Sequence, residues 1–197
     1  MSHKLRVSYS VGVNSSDPRV RRTRARLRAA VLELAAEREL GDITIAEVAK
    51  RAGVNRATTY LHFPDLDALV ADAMEEAVAQ VARAAALCPL DAPRDEPPQP
   101  LRDLFDTVAA NAVLYRRMLS PHGSARFAAG LRDRLAAELR HSLAGRARPR
   151  RVDEVPVDVH AAYLAGALTG VIAAWTAAQA PAGAGETALA TWRLLRG

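Results

Sequence analysis

The sequence predicts an all-α protein. Half of the 197 residues are hydrophobic, and alanine, the strongest helix former, is abundant. Aromatic residues, which favour strands, make up only 5% of the chain, and β-branched residues are also sparse. Apolar residues recur at helical spacing, and no convincing segment alternates between apolar and polar residues as a half-buried strand does. A chain of this length can bury one core or two small ones.

The first helix follows residues 1–16, which we expect to form a flexible tail. Asp17 can cap a helix and Pro18 suits its first position, so the helix should run from Pro18 to about Arg38. Its apolar face consists of Val20, Leu27, Ala30, Val31, Leu34 and Ala35. Its first half is crowded with Arg21, Arg22, Arg24, Arg26 and Arg28.

Positive charge is concentrated at this end of the chain. The whole sequence has 27 lysines and arginines and 22 aspartates and glutamates, a net charge of +5. Residues 1–28 hold eight basic residues and one acidic residue, whereas the rest of the chain holds 19 and 21. A basic patch of this kind is typical of a protein that binds a polyanion, and such binding weakens as salt rises. A solvated or membrane-attracted tail is the alternative that charge alone leaves open.

Residues 44–63, TIAEVAKRAGVNRATTYLHF, predict two short helices joined by a tight turn. One face of the first helix is apolar and consists of Ile45, Val48, Ala49 and Ala52. Gly53 permits the turn, and Asn55 can cap the second helix. That helix, Arg56–His62, is rich in hydrogen-bond donors, which suits insertion into a DNA major groove. An ordinary helical hairpin is the alternative.

A long helix and a proline-rich segment come next. Asp65 can cap a helix from about Leu66 to Leu87. The apolar face of this helix consists of Leu66, Leu69, Val70, Ala73, Ala77 and Val81. Residues 88–100 contain five prolines in 13 residues, so they should form a loop or linker. We therefore expect a DNA-binding domain at residues 17–87, including the long connecting helix, and a second domain at residues 88–197.

The second half predicts four further helices. Their ranges are Leu101–Leu119, Ser124–Ala144, Val157–Ala180 and Glu186–Arg196. In the third of these, Ala161–Ala178 has no charge over 18 residues, the threshold for a membrane span, but its small residues make it only weakly apolar. We therefore expect a buried helix at a tight interface and no membrane association.

Small residues recur every four positions in that helix. They are Ala162, Gly166, Gly170 and Ala174. A stripe of small residues lets two helices approach closely, so together with Trp192 of the last helix it predicts the face of a symmetric dimer. Packing within one subunit is the alternative.

The order of these elements resembles the TetR (tetracycline-repressor-like) family of bacterial transcription regulators. Within residues 18–75, the resemblance is carried by the blocks Val48-Ala49-Lys50-Arg51-Ala52-Gly53-Val54 and Tyr60-Leu61-His62-Phe63. The second half matches only in general layout. The resemblance implies a helix-turn-helix DNA-binding domain followed by a helical ligand-binding and dimerisation domain. It also implies a homodimeric repressor that leaves a palindromic operator in double-stranded DNA when a small apolar effector binds.

The same resemblance assigns roles to individual residues. Thr44 caps its helix and touches a phosphate, while Arg56 and Ala57 face base edges. Arginine can pair with guanine through two hydrogen bonds, which discriminates among bases by ~1–3 kcal/mol. Thr58, Tyr60 and His62 are assigned to phosphates or the groove wall. The basic charge of the first helix, rather than the resemblance, predicts that Arg21 and Arg22 contact the DNA backbone, and Asn55 is also expected at the DNA.

Three positions depart from the family pattern. Leu66 stands where the family often has a lysine that contacts phosphate, so we expect that contact to be missing. Thr59 stands where an apolar residue usually faces inward, and we expect its methyl group to enter the core. Glu39 stands where glycine is common, so the first turn should differ in detail.

An effector pocket should lie among the helices of the second half. Its candidate residues are Phe105, Asn111, Tyr115, Met118, Phe127 and Trp175, each of which is otherwise ordinary core. The histidines at positions 122, 141 and 160 lie in different elements without paired ligand spacing. We expect surface or capping roles for them and no metal or other cofactor.

Other classes of function find little support in the sequence. It contains no P-loop, dinucleotide fingerprint, GxSxG or HExxH motif, so we predict no enzyme. The single cysteine, Cys88, excludes an internal disulfide, and the N-terminal segment lacks the apolar core of a signal peptide, so we expect a cytoplasmic protein. A regulator without a small-molecule effector and a helical interaction module with a basic tail are the alternatives.

Overall fold

The computed structural model describes residues 17–89, 91–148, 152–178 and 181–196. Within these ranges the chain is helical and has no strand, which confirms the all-α prediction. The helices are α1 (Pro18–Glu37), α2 (Ile45–Ala52), α3 (Arg56–His62), α4 (Leu66–Leu87), α5 (Gln99–Ala110), α6 (Ala112–Met118), α7 (Ala125–Ala144), α8 (Val157–Ala177) and α9 (Ala184–Arg196). The predicted tail, residues 1–16, lies outside the described residues.

Side-chain caps begin several helices where the sequence predicts them. Asp17 Oδ1 accepts a hydrogen bond from the Arg19 N–H (2.8 Å) at the start of α1. Asp65 Oδ1 accepts one from the Ala68 N–H (2.7 Å) at the start of α4. Each carboxylate satisfies a backbone donor that the helix itself leaves free, and each carries its negative charge at the positive end of the helix dipole.

The start of α2 is fixed by a reciprocal pair of hydrogen bonds. Thr44 Oγ1 accepts from the Glu47 N–H (3.3 Å), and Glu47 Oε2 accepts from the Thr44 N–H (2.9 Å), which is a capping box. A hydrogen bond from Arg38, followed by those from Thr44, lowers the pKa of Glu47 to about 2. The carboxylate is therefore ionised at neutral pH and holds the first turn of α2.

The first four helices share one core. Its buried side chains include Leu27, Val31, Leu34, Val48, Phe63, Leu69 and Val70. Asp72 of α4 accepts hydrogen bonds from Arg24 (2.6 Å) and Arg28 (2.5 Å) of α1. Burial alone raises the pKa of Asp72, but these two hydrogen bonds outweigh it and hold the pKa below its ordinary value. Apolar packing and a doubly paired carboxylate thus join α1 to α4.

A second core, continuous with the first in one hydrophobic cluster, forms among the later helices. In it α4 packs against α5 and α7, α7 packs against α8, and α5 packs against α9. Its buried side chains include Leu104, Phe105, Leu131, Leu135, Ala165 and Trp192. The Trp192 indole N–H donates a hydrogen bond to Pro93 O (2.7 Å), which ties α9 to the proline-rich segment. Because α4 belongs to both cores, it links the two halves of the chain.

The prediction of a single helix at Leu101–Leu119 is wrong. The structure has α5 and α6 there, separated at Asn111, whose backbone leaves helical geometry (φ −124°, ψ 22°). Its side-chain Nδ2 donates a hydrogen bond to Thr107 O (3.1 Å). Asparagine competes for backbone groups in this way and so disfavours a continuous helix. Among the described residues, the second half therefore has five helices where the sequence predicted four.

α8 is long and weakly apolar, as predicted, but only partly buried. An 18-residue stretch of it has a mean hydropathy of 1.4 and is 33% buried, so by length and composition alone the helix could span a membrane. Leu164, Leu168 and Ile172 enter the core beside α7, as in the core helix of a soluble protein. α8 ends at Ala177, and positions 179 and 180 of its predicted range lie outside the described residues. α9 begins at Ala184, two residues before the predicted start.

Arg117 of α6 connects the second half of the chain to the end of α1. Its Nη1 donates hydrogen bonds to the carbonyl oxygens of Ala35 and Arg38, the latter at 2.8 Å. Its Nε lies 3.5 Å from Glu39 Oε1, and its side chain is only 11% exposed. The last carbonyls of a helix lack partners within the helix, so Arg117 both caps α1 and fixes its position against α6.

We predict that Arg117→Met lowers the free energy of unfolding by about 1.5–3 kcal/mol, because buried carbonyls at the end of α1 lose a charged donor. Urea denaturation followed by circular dichroism measures this change. Arg116→Met, at the neighbouring exposed position on the same helix, serves as the control and should change stability by less than about 0.5 kcal/mol. Equal effects of the two substitutions would contradict the capping role.

Candidate nucleic-acid interface

Gly53 forms the turn between α2 and α3. Its φ of 60° lies in the left-handed region, where a side chain would be strained. The Gly53 N–H donates to Lys50 O (3.1 Å) and the Val54 N–H donates to Ala49 O (2.9 Å), which closes the end of α2. A Cβ atom on Gly53 would lie 2.6 Å from Arg26 Nη2, the atom that donates to Gly53 O. The predicted glycine turn is confirmed, and contact with α1 gives a second reason for it.

The helix α3 is anchored on one side and exposed on the other. Asn55 Oδ1 caps it by accepting a hydrogen bond from the Ala57 N–H (2.8 Å). Thr59 is 0% exposed, and its Oγ1 donates to Asn55 O (3.2 Å), so Thr59 faces the core as expected. On the opposite side, Ala57 and Leu61 are exposed, Leu61 to 70%. At a spacing of four residues these two form the outermost ridge of the helix.

Two flanks border this ridge. On one, Arg56 and Tyr60 are exposed, and the Arg56 guanidinium carbon lies 5.7 Å from the centre of the Tyr60 ring. On the other, Thr58 and His62 are half-buried. The fold therefore brings all the residues predicted for α3 to one side of the molecule, with Thr58 and His62 the least accessible of them.

Leu61 is an exposed residue to which the sequence analysis assigned no role. The prediction for α3 considered only side chains that can donate hydrogen bonds, and so it did not include the apolar Leu61. The available signal was its position, since Leu61 lies four residues after Ala57 and two after the buried Thr59. A large apolar side chain that is 70% exposed beside Tyr60 suggests a partner that covers it.

The arginines of α1 lie beside this helix pair. Arg26 contacts the Gly53 turn, and the Arg24 guanidinium stacks over the Phe63 ring at 4.6 Å from its centre. Arg21 and Arg22, one turn earlier, are exposed, and no carboxylate of the described residues lies within ion-pairing distance of either. Of the predicted basic cluster, these two side chains are therefore available to an outside anion. Lys4 and Arg6, also basic, lie outside the described residues.

His62 occupies a partly buried and positively charged environment. Burial, and secondarily the nearby Arg24 guanidinium, lower its pKa below the ordinary value. Its Nδ1 atom is buried and forms no hydrogen bond within the described part of the chain. The ring is therefore mainly neutral at pH 7.

In the second half, a cavity lies between α4, α5, α7, α8 and α9. It is lined mainly by leucines, with Trp192 and the polar residues Cys88, Ser142, Arg146, His160 and Arg196. The six residues predicted for an effector pocket do not line it. Phe105, Tyr115, Met118 and Phe127 are buried core side chains, and Asn111 and Trp175 are half-buried elsewhere. Phe127 also lines a separate cavity beside α4, and the assignment of these six residues to an effector pocket stays a prediction.

His160 is also placed differently from the prediction. It is buried and lines this cavity, so the predicted surface or capping role is wrong for it, whereas His122 and His141 are exposed. Within the described ranges, no group of three or more His, Cys, Asp or Glu side chains is arranged to hold a metal ion.

The stripe of small residues on α8 is exposed along its whole length. Ala162, Gly166, Gly170 and Ala174 are all open to solvent, and a Cβ atom on either glycine would meet no atom within 4 Å. Packing of the stripe within one subunit is thereby excluded. Trp192, in contrast, is 1% exposed and belongs to the core of its own subunit, so its assignment to a dimer face is wrong.

Comparison with known proteins identifies the N-terminal part of the chain. Residues 27–73, from the middle of α1 into α4, match the family described as "Bacterial regulatory proteins, tetR family". This range contains the Gly53 turn, the anchored helix α3, the capping box that begins α2 and the side-chain cap that begins α4. This part of the chain is therefore similar to the N-terminal region of TetR-family regulators. No curated protein matches it by sequence.

Solved structures of TetR-family regulators have a fold similar to that of this chain over most of its length. A TetR-family regulator from Streptomyces coelicolor A3 has a TM-score of 0.61 and 20% identity, covering 92% of this chain and 96% of its own. A TetR transcriptional regulator from Streptococcus agalactiae has a TM-score of 0.58 and 16% identity, with 90% and 95% covered. The multidrug binding protein EbrR, in a complex with imidazole, has a TM-score of 0.58 and 20% identity, with 91% and 90% covered. Members of the family are regulators rather than enzymes, which agrees with the prediction.

The structure shows the surroundings of two residues that depart from the TetR pattern. Leu66 is half-buried at the start of α4, and the neighbouring Asp65 is occupied as a cap and lies 3.4 Å from Arg126. Glu39, in place of the common glycine, adopts ordinary extended geometry (φ −63°), and its carboxylate faces Arg117. The glutamate therefore connects the first turn to α6.

The lowered pKa of His62 predicts a loss of stability in mild acid. Because the folded state holds the pKa below 6.5, the unfolded chain binds the proton more readily, and stability falls as the pH drops through 6.5. Between about pH 7.5 and about pH 5.5, His62→Gln should therefore lose less thermal stability than the wild type. Melting temperatures at the two pH values measure this. His141→Gln, at an exposed histidine, should behave like the wild type, and parallel losses in all three proteins would refute the expectation.

Proposed function

We propose that this TetR-family regulator is a cytoplasmic homodimeric repressor that binds a palindromic operator and leaves it when a small molecule occupies the second half of the chain. The observation that carries the DNA-binding part is the outward face of α3, with exposed arginines of α1 beside it. This surface presents a narrow helical ridge with donors on both flanks, and the major groove of B-DNA admits one α-helix.

The ridge and its flanks suit different features of the groove. Arg56 is exposed and anchored only by its contact with the Tyr60 ring, so its guanidinium can reach guanine O6 and N7. Ala57 and Leu61 present hydrocarbon, which matches the methyl group of thymine. We therefore assign base readout to these three residues, with Leu61 as an addition to those that the sequence suggested.

Backbone contacts surround this readout surface. Arg21 and Arg22 have no carboxylate partner among the described residues, and Thr44, Asn55, Thr58, Tyr60 and His62 border α3 or begin the helix before it. Phosphate contacts fix the register of a protein on DNA without reading its sequence. We assign this positioning role to these seven residues.

The exposed face of α8 supports the homodimer. The stripe Ala162, Gly166, Gly170 and Ala174 is uncovered, and Tyr163 (65% exposed) and Val159 (57%) lie next to it. Two copies of such a face pack closely because the stripe has little side-chain bulk. A two-fold axis there would present two α3 helices to half-sites about 34–36 Å apart.

The division into a DNA-binding domain at residues 17–87 and an effector domain at residues 88–197 fits the two cores. The cavity belongs to the second core, and α4 forms part of its wall through Ala85 and Ala86. A related structure, that of EbrR, contains a bound small molecule, imidazole. A ligand that separates the cavity walls would move α4, and with it α1 through Asp72.

The two classes of arginine should respond differently to substitution. Arg56→Ala should reduce the preference for the operator over other duplexes by ~1–3 kcal/mol, because one bidentate base contact is lost. Arg21→Ala with Arg22→Ala should weaken binding to every duplex and lower the salt slope by about 2, because two phosphate contacts are lost. Fluorescence anisotropy with the DNA upstream of the protein's own gene and a scrambled duplex, over a range of salt, measures both.

Arg193→Ala is the control for this experiment, since Arg193 is exposed on α9 and pairs with Asp95. It should change neither the preference nor the slope. Unaltered base preference in the Arg56 variant would refute its readout role, and a wild type that binds no upstream fragment would refute the proposed function.

The dimer face is tested by a pair of matched glycine substitutions. Gly170→Glu places a charge on the α8 stripe, where it would meet its own copy across the axis, so the protein should be monomeric at micromolar concentration. Gly130→Glu, at an exposed glycine of α7 with no atom within 4 Å of a Cβ, should remain a dimer. Light scattering measures the mass. A monomeric wild type, or two variants of equal mass, would rule out this face.

A further inference from the structure

The cavity of the second core has an apolar and narrow interior. Its walls include Leu101, Leu139, Leu143, Leu164 and Leu168 together with Trp192. The space is about 50 Å³, enough for a few water molecules. A slim, flexible chain can enter such a space by displacing few side chains, whereas a wide, rigid ligand must separate packed walls on several sides.

Arginines border the cavity where it adjoins the surface. Arg146 and Arg196 line both the cavity and a neighbouring surface cleft, and Arg148 lines the cleft as well. The cleft contains one acidic residue, Asp91, and no Asp or Glu lines the cavity within the described part of the chain. An apolar interior therefore adjoins a positively charged edge.

Arg146 differs from most other arginines in what it contacts. Many pair with a carboxylate, as Arg140 pairs with Asp158 and Arg193 with Asp95. Arg146 is exposed and donates from Nη1 to the backbone carbonyl of Cys88 (3.2 Å), and no described carboxylate lies within ion-pairing distance of it. A guanidinium has five N–H donors in a planar fork, so this one bond leaves donors for an anion.

The other polar groups of the wall do not favour a cation. Ser142 Oγ donates to Ala86 O (2.6 Å), and Cys88 Sγ donates to Ala84 O (3.5 Å). Burial raises the pKa of the Cys88 thiol to about 12, so it carries no negative charge at neutral pH. A cationic head group would find no charged partner in this wall, and an anion would find Arg146.

We propose that the cavity binds an organic carboxylate with a linear alkyl or acyl chain, the carboxylate on the Arg146 guanidinium and the chain among the leucines. This inference rests on the proposed function, because it names the chemical class of the effector. A bidentate guanidinium–carboxylate pair holds the head group at the surface, where part of its hydration is retained. The chain takes the place of the small enclosed space and contacts α4 at Ala85 and Ala86.

Isothermal titration of the full chain with decanoate, decanol and decylamine, each below its micelle concentration, tests the inference. Decanoate should bind about tenfold more tightly than either of the others, because only it pairs with the guanidinium. Arg146→Gln should weaken decanoate binding about tenfold and leave decanol binding unchanged, while Arg146→Lys should retain part of the preference. Arg132→Gln, at an exposed arginine of α7 that pairs with Asp133, is the matched control and should bind like the wild type.

Three results would overturn the inference. The first is equal decanoate affinity in the wild type and Arg146→Gln, since Arg146 would then serve only to cap α4. The others are tighter binding of decylamine and a lack of binding by all three compounds.

DNA binding by the same preparations distinguishes failure of this inference from failure of the proposed function. If the protein binds the operator but not decanoate, only the carboxylate inference is refuted. If it binds decanoate but not the operator, the proposed repressor function is refuted.

Discussion

A helix of seven residues is too short to be stable alone in water, so the surface that α3 presents depends on how its inner side is held. Thr59 is fully buried there and Phe63 closes the C-terminal end in the core, while Asn55 satisfies the first backbone donor. Gly53 lets α2 approach at the required angle. These few contacts convert an unstable peptide into a rigid ridge, and the polar and apolar groups on its far side are displayed only because of them.

A small number of contacts also connects the two halves of the molecule. At 22 residues, α4 is about 33 Å long and takes part in both cores. Its Asp72 pairs with two arginines of α1, and its Ala85 lies in the cavity wall. Arg117 forms a second connection, from α6 to the last carbonyls of α1. A displacement of the cavity wall would therefore reach α1 through a packed helix, and α1 carries the arginines beside α3.

The sequence predicted those features that local chemistry determines. The starts of α1, α2, α3 and α4 follow from single capping side chains, and the Gly53 turn follows from a break in the apolar period. Features that depend on distant contacts were predicted less well. Asn111 divides a helix through a hydrogen bond that has no periodic signal, and three of the aromatic residues proposed for a pocket are buried in the core. Trp192 and His160 are buried by helices far away in the sequence, which no local pattern reveals.

The surroundings of the single cysteine, Cys88, affect the reactivity of its thiol. Its thiol lies in the cavity wall, donates to Ala84 O and has a pKa of about 12, so thiolate is scarce at neutral pH. Oxidants and alkylating reagents attack the thiolate, so we expect Cys88 to react slowly with peroxide. Because the thiol lies in the cavity wall, a molecule that occupies the cavity should cover it, and the rate of its alkylation would report that occupancy.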